Sequence, residues 1–324
     1  MTDYAYQSVL APYIQGLLYE KHALGYAYND EARFLRRFDQ YWIEDNGDDS
    51  KITIDSLEGW CRQRPTEGKR SQSHRIAVVR QLTLYMAGLG IACYIPKDRI
   101  RYPKPIVHVL TRPEIAEIFG YIDGYRPEKP YPATIRMANE YRFLYRLILT
   151  TGFRNAKAAS LRVSDVDWKT GTVAVYNSKG RKDRIIYLSD DMAGMGKRYL
   201  SYLRSVLGYE PYWFFPGLDP ETHVSSGTVT MRFREFWMQT SFAETCEKNP
   251  TVHALRHTFV VFRINGWMVQ GLDLNVLMPY LSKFLGHKSP DETFYYYHEV
   301  LESFKVIREK DTVAKSVIPE VRVR

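Results

Sequence analysis

The chain has 324 residues, 45% of them apolar and 14% aromatic, which excludes a disordered protein and is enough for two domains with cores of their own. Lysine and arginine number 45 against 37 acidic residues, a formal charge of +8 that favours a polyanionic partner without naming one. Three scattered cysteines without a CxxC pair give no disulfide framework or cysteine zinc site, and the lack of a leader-like start or a long apolar run leads us to expect a cytoplasmic protein with no membrane association.

Residues 1–95 read as helix in four pieces. Val9 to Leu24 ends at Gly25, and Asn29 to Asp45 starts on Asn29 as a cap and stops at Asn46-Gly47. Thr53 to Gln63 is closed by Pro65 and Gly68, and Ser71 to Leu89 completes the set. Phe34, Phe38, Tyr41 and Trp42 recur at helical spacing and are expected to form core. Arg33, Arg36, Arg37, Lys69, Arg70, His74, Arg75 and Arg80 suit either a polyanion-facing surface or a solvated face.

Between Ile95 and Val109, Pro96, Pro103 and Pro105 alternate with Lys97, Arg99, Arg101 and Lys104. That composition gives no regular element, so residues 96–109 are read as a basic linker. Thr111-Arg112-Pro113-Glu114 has the spacing of a capping box and opens a second, mixed domain over residues 110–310. Within it, Ala133 to Thr151 is a buried helix ending at Gly152-Phe153-Arg154. Thr172 to Tyr176 and Arg184 to Leu188 alternate as two strands of a hairpin, with Lys179, Arg181 and Lys182 at its tip. Helices follow over Asp190 to Leu207 and Gly227 to Cys246, separated by the aromatic loop Pro211 to Gly217. The fold class is mainly α with a small β-sheet, an α+β domain behind an all-α one.

The chemistry concentrates between Thr251 and Glu299. If Ala254 to Asn265 is a helix, His253 and Arg256 stand at i and i+3 and project imidazole and guanidinium from one face. That pair suits a phosphodiester: the guanidinium can fork onto two oxygens while the imidazole handles a proton. His257 lies four residues after His253, but Ala-Leu-Arg between them lacks the glutamate of a zinc hydrolase, so no metal is expected and His257 is read as a packing or hydrogen-bonding residue. No glycine-rich phosphate loop is present, and no cofactor is expected.

Thr151-Gly152-Phe153-Arg154, Ser178-Lys179-Gly180, His253-Ala254-Leu255-Arg256-His257-Thr258, Leu285-Gly286-His287 and Tyr296-Tyr297-His298 follow in order, with nine residues from His287 to Tyr296. In these motifs the chain resembles the tyrosine recombinases of the phage-integrase and Xer-like family. The resemblance covers roughly Thr111 to Leu301, and for residues 1–105 it rests on helical character and position alone. It implies an N-terminal core-binding (SAM-like) domain, a C-terminal catalytic domain, and double-stranded DNA as partner. It further implies a homo-tetramer on synapsed sites, room for accessory DNA-bending proteins, and a C-terminal tail over residues 311–324 that docks on a neighbouring protomer, although a short helix capping its own domain fits that segment equally well.

By the same resemblance, Arg154 and Arg256 grip the scissile phosphate, His253 exchanges a proton with the nucleophile, and Lys179 protonates the leaving 5′ oxygen. His287 supports the phosphate, and Tyr296 is the nucleophile that forms a 3′-phosphotyrosyl bond. Tyr295 and Tyr297 flank Tyr296, and Lys179 shares its hairpin with Arg181, Lys182 and Arg184, so both positions have competitors. The family usually has an acidic residue three positions after the first arginine; here it is Lys157, which either points away or is replaced in that role by Asp165 or Asp167. A DNA-relaxing topoisomerase with the same nucleophile, or a non-catalytic DNA-binding regulator on the same scaffold, would also fit these residues.

Overall fold

The computed structural model describes residues 4–97, 100–102, 108–176, 183–287, 289 and 291–296. The chain divides into two compact units, Met1–Pro105 and Ile106–Arg324. The first holds α1 (Ala11–Ala23), α2 (Asn29–Asn46), α3 (Ile54–Cys61) and α4 (Lys69–Gly88). Their apolar faces bury Ile14, Leu17, Leu35, Phe38, Trp42, Leu57, Trp60, Val79 and Leu82 in one core. Thr53 caps α3 in a box with Ser56, satisfying two amide groups of the first turn. Asn29 is not a cap: Tyr28 stands at that position in the left-handed region, and Asn29 is the first helical residue. Arg75 leaves the set of candidate surface cations, because its buried guanidinium is paired in two places with Glu67, at 2.9 and 2.6 Å.

The second unit is built on α6 (Pro132–Thr151), in which eleven of twenty residues are buried. Around it pack α5 (Arg112–Gly124), α8 (Asp190–Leu207) and α10 (His253–Val269). Short α7 (Asn155–Ala159) leads to a three-stranded antiparallel sheet of β1 (Val166–Asp167), β2 (Thr172–Val175) and β3 (Arg184–Tyr187) in the order β1-β2-β3. Val175 pairs with Arg184 at the end of the hairpin nearest its tip. Residues 177–182, and with them Lys179, lie outside the described residues, as do 98–99, 103–107 and the tail from 297 onward. Phe143, Tyr199 and Phe215 stack on one another in the core of the unit, with Phe214 set at an angle against them. Nearby, buried Arg136 pairs with Glu140 and donates to the carbonyls of Pro216 and Gly217.

The box expected at Thr111 is present: the Thr111 Oγ1 accepts from the Glu114 amide, and the Glu114 carboxylate accepts from the Thr111 amide. The helix expected over Gly227 to Cys246 is shorter, since α9 runs from Ser226 to Trp237. It stops because Trp237 turns into the core and hydrogen-bonds Asn249, while the amide and hydroxyl of Ser241 are taken by Glu117 of α5. Two elements not anticipated, α11 (Leu274–Leu285) and α12 (Asp291–Phe294), close the described unit. Among the described residues no helix is long and apolar enough to cross a membrane.

Candidate active site

Four chain reversals converge on one spot. α6 ends at Gly152 with φ +66°, and a methyl group there would meet Phe259 at 2.6 Å and Leu285 at 2.9 Å, so both backbone and packing require glycine. α11 likewise ends at Gly286 with φ +67°. These two turns, with the start of α7 and the first turn of α10, bring Arg154, Arg256, His253 and His287 together, and the segment after α12 adds Tyr296.

Arg256 is 1% exposed, and two backbone carbonyls and one side chain hold it. Its guanidinium donates to the carbonyls of Gly152 and, at 3.0 Å, Leu285, and at 2.9 Å to Nε2 of His287. A guanidinium has no lone pair, so Nε2 must accept and the ring hydrogen of neutral His287 sits on Nδ1, donating to Thr293 at 2.7 Å. Arg154 donates to the Gly286 carbonyl at 3.1 Å, while its Nη1 is buried without a partner. Lys157 points away, donating to the carbonyl of Tyr176 at 3.1 Å. Neither Asp165 nor Asp167 replaces the family's acidic residue: the first binds the Arg162 amide and the second the Lys169 amide and the Thr170 hydroxyl. A backbone carbonyl orients Arg154 instead.

Tyr296 is buried among Val260, Ile264, Met278 and Leu281. Its hydroxyl is 2.7 Å from Nδ1 of His257, and its ring lies parallel to that of His287 at 6.4 Å. The imidazole on the phenol is thus that of His257, the residue read from the sequence as packing or hydrogen-bonding. His253 meets the edge of His257 at 4.4 Å. A third guanidinium, Arg184 of β3, reaches the same place: a methyl group on Gly286 would lie 3.0 Å from its Cζ. Both His257 and Arg184 depend on a distant segment folding over them, and no local spacing marks either.

The electrostatics are those of a cation cluster in which, among the described residues, no carboxylate makes a salt bridge to Arg154, Arg184 or Arg256, although Glu292 acts on Arg256 from a distance. Burial and then the neighbouring Arg154 lower Arg256 to about 9, and the same two causes lower Arg184 to about 10. Burial, with His253 and Arg256, lowers His257 to about 3; burial, with Arg256 and Arg154, lowers His287 to about 3. His253 falls to about 4 through desolvation, Arg256 and Arg154; one side of it is open to solvent, but the two guanidiniums secure the direction. Burial raises Tyr296, with Arg256 opposing. All three imidazoles are therefore neutral at neutral pH. Among the described residues no three His, Cys, Asp or Glu side chains are grouped so as to hold a metal ion.

A helical unit with a small antiparallel sheet, bearing arginines, histidines and a tyrosine gathered at one place, belongs to the tyrosine-type site-specific recombinases. The phage integrase family matches residues 109–302, and the chain is a member of that family. Over 287 residues it is 25% identical to a putative integrase/recombinase of Sinorhizobium fredii, covering 85% of this chain and 87% of that protein. It is 24% identical over 282 residues to the tyrosine recombinase XerD of Haemophilus influenzae, covering 83% and 86%. The fold is shared with the Tn1549 transposon integrase in complex with a circular intermediate DNA, at TM-score 0.65 and 15% identity over 92% of this chain and 99% of that one. It is also shared with the XerH site-specific recombinase bound to a palindromic difH substrate, at TM-score 0.63 and 16% identity over 94% and 85%.

Proposed function

We propose that this chain cleaves and rejoins double-stranded DNA at specific sites, with Tyr296 as nucleophile. The Tyr296 oxygen attacks the scissile phosphorus, the bond from phosphorus to the 5′ oxygen breaks, and a 3′-phosphotyrosyl bond preserves the phosphodiester for rejoining. Arg154, Arg256 and His287 hold the phosphate, whose charge increases in the pentavalent transition state, so donors already in place stabilise that state more than the ground state. Lys179 returns a proton to the leaving oxygen, a role that rests on the family resemblance alone. Residues 1–95 act as the core-binding domain, residues 110–310 carry the chemistry, and the working assembly is a tetramer on two synapsed duplexes.

The observation that carries this reading is the hydrogen bond between the Tyr296 hydroxyl and a neutral histidine, beside buried guanidiniums that make no salt bridge to a carboxylate. A phenol that burial pushes above its ordinary pKa of 10 needs a base, and His257 is within hydrogen-bond reach of it. In the free protein that base is weak, because burial first and then positive neighbours oppose an imidazolium. An arriving phosphodiester brings the negative charge that raises His257 and His253 toward their ordinary value of 6.5, so the base strengthens when substrate is bound.

The test is covalent capture. Protein incubated with a randomised duplex pool containing bridging phosphorothiolates should form a DNA adduct stable to denaturant, and sequencing the adducts gives both the site and the broken bond. Wild type is expected to trap DNA and Tyr296→Phe not to; full-yield trapping by Tyr296→Phe would move the nucleophile elsewhere.

A further inference from the structure

Among the described residues, the fully buried arginines away from this site each have a carboxylate partner, although Nη1 of Arg75 makes no hydrogen bond. Arg75 has Glu67, and Arg136 has Glu140 and two carbonyls. Arg184 is the contrast: its Nε, Nη1 and Nη2 are all buried, and none has a hydrogen-bond partner. A guanidinium carries five N–H donors, and enclosing it without acceptors is among the costliest arrangements a fold can keep. The same strand could have placed an apolar residue there, so the charge needs another explanation.

Its neighbourhood supplies one. Arg184 lies over the Gly286 turn, whose carbonyl orients Arg154, and glycine at 286 is what lets the guanidinium come so close. Arg256 has three of its hydrogen bonds made and Arg154 one, while Arg184 has none. Of the four buried guanidinium nitrogens at this spot that have no partner, three belong to Arg184 and one to Arg154. The three cations come from separate elements, the turn before α7, strand β3 and helix α10, and so surround an anion from different directions. Repulsion from Arg154 also lowers Arg184, and Arg184 in turn lowers Arg256 and His287, which places all of them within one field.

We propose that Arg184 is a third phosphate ligand of the site, donating to a non-bridging oxygen of the scissile phosphodiester alongside Arg154 and Arg256. This rests on the reading of the cluster as a phosphodiester site. It assigns the cleavage reaction a contact that neither the motif order nor the hairpin lysine supplies.

The test uses the full chain with Arg184→Met, which keeps the length and removes the charge, and Arg184→Lys. In the first arm, melting is followed with and without inorganic phosphate at matched ionic strength. Arg184→Met should melt no lower than wild type when free, because it removes an unpaired buried cation from the folded state, and its phosphate-induced rise should shrink. A lower melting temperature with an undiminished phosphate response would mean a structural arginine and overturn the proposal.

In the second arm, single-turnover cleavage is measured on the duplex identified by covalent capture. Loss of one transition-state donor should slow cleavage by about 10²-fold, with Arg184→Lys intermediate. On a duplex whose scissile phosphate is a neutral methylphosphonate, Arg184→Met and wild type should become equal. Cleavage of the natural duplex at the wild-type rate, or an equal defect on both duplexes, would overturn the proposal. If wild type itself forms no adduct, the recombinase reading fails, and the phosphate arm still decides whether Arg184 binds an oxyanion.

Discussion

Acid should weaken the free protein through two active-site histidines, by an amount that hardly depends on how far they are shifted. His257 and His287 stand at about 3 in the fold against an ordinary 6.5. Between those values the unfolded chain binds a proton at each ring that the folded chain does not, so stability is present above about 6.5 and is lost as pH falls. From about pH 7.5 to about pH 5.5 both folded values lie below the window, giving a loss of up to about 1.4 kcal/mol per histidine, or roughly 2.7 kcal/mol together. His253 adds a smaller effect of the same sign, being more open to solvent. Glu140 works the other way: burial raises its carboxyl to about 8, so it gains stability on acidification across the same window.

The assay is therefore a difference. Urea unfolding of wild type and of His257→Gln/His287→Gln is compared across that pH range, so that Glu140, common to both, cancels. The stability difference should shift by up to roughly 2.7 kcal/mol against wild type as pH falls. A difference constant to within about 0.5 kcal/mol would refute the account of two neutral histidines held beside unpaired cations.

Gly152→Ala should cost roughly 2–4 kcal/mol, combining left-handed strain with overpacking against Phe259 and Leu285; a loss under about 1 kcal/mol in urea unfolding would show that the turn relaxes. Lys157→Ala should leave covalent capture within about twofold of wild type, because Arg154 is held by the Gly286 carbonyl and not from position 157; a loss of about tenfold or more would restore a role to that residue. DNA affinity should fall steeply between low and moderate salt, given the +8 charge and the sequence cations Lys97, Arg99, Arg101 and Lys104; a slope near zero in a salt titration would rule out extensive phosphate contact.

What the sequence made legible was local. The box at Thr111 and Glu114, the hairpin and the shared face of His253 and Arg256 follow from spacings of three or four residues or from alternation, and the structure contains each of them. The end of α9 was not legible, because Phe242 and Cys246 continue an apolar pattern although the chain reaches the core there through turns. His253 and His257 lie on one helical face, so local spacing cannot choose between them; the choice depends on where residues 291–296 pack. Arg184 looks in sequence like any cation near a hairpin tip, and only the approach of β3 to the Gly286 turn encloses it.

Arg256 is steered by the carbonyl ends of two helices, α6 and α11, where their negative poles lie. A helix dipole has no net charge, so these poles fix the guanidinium's direction while leaving the pocket's overall charge positive. A carboxylate in their place would orient the arginine equally well but would compete with any anion that arrived. The empty pocket should therefore be indiscriminate toward compact oxyanions, and sulfate at high concentration should act as a competitive inhibitor of the free protein.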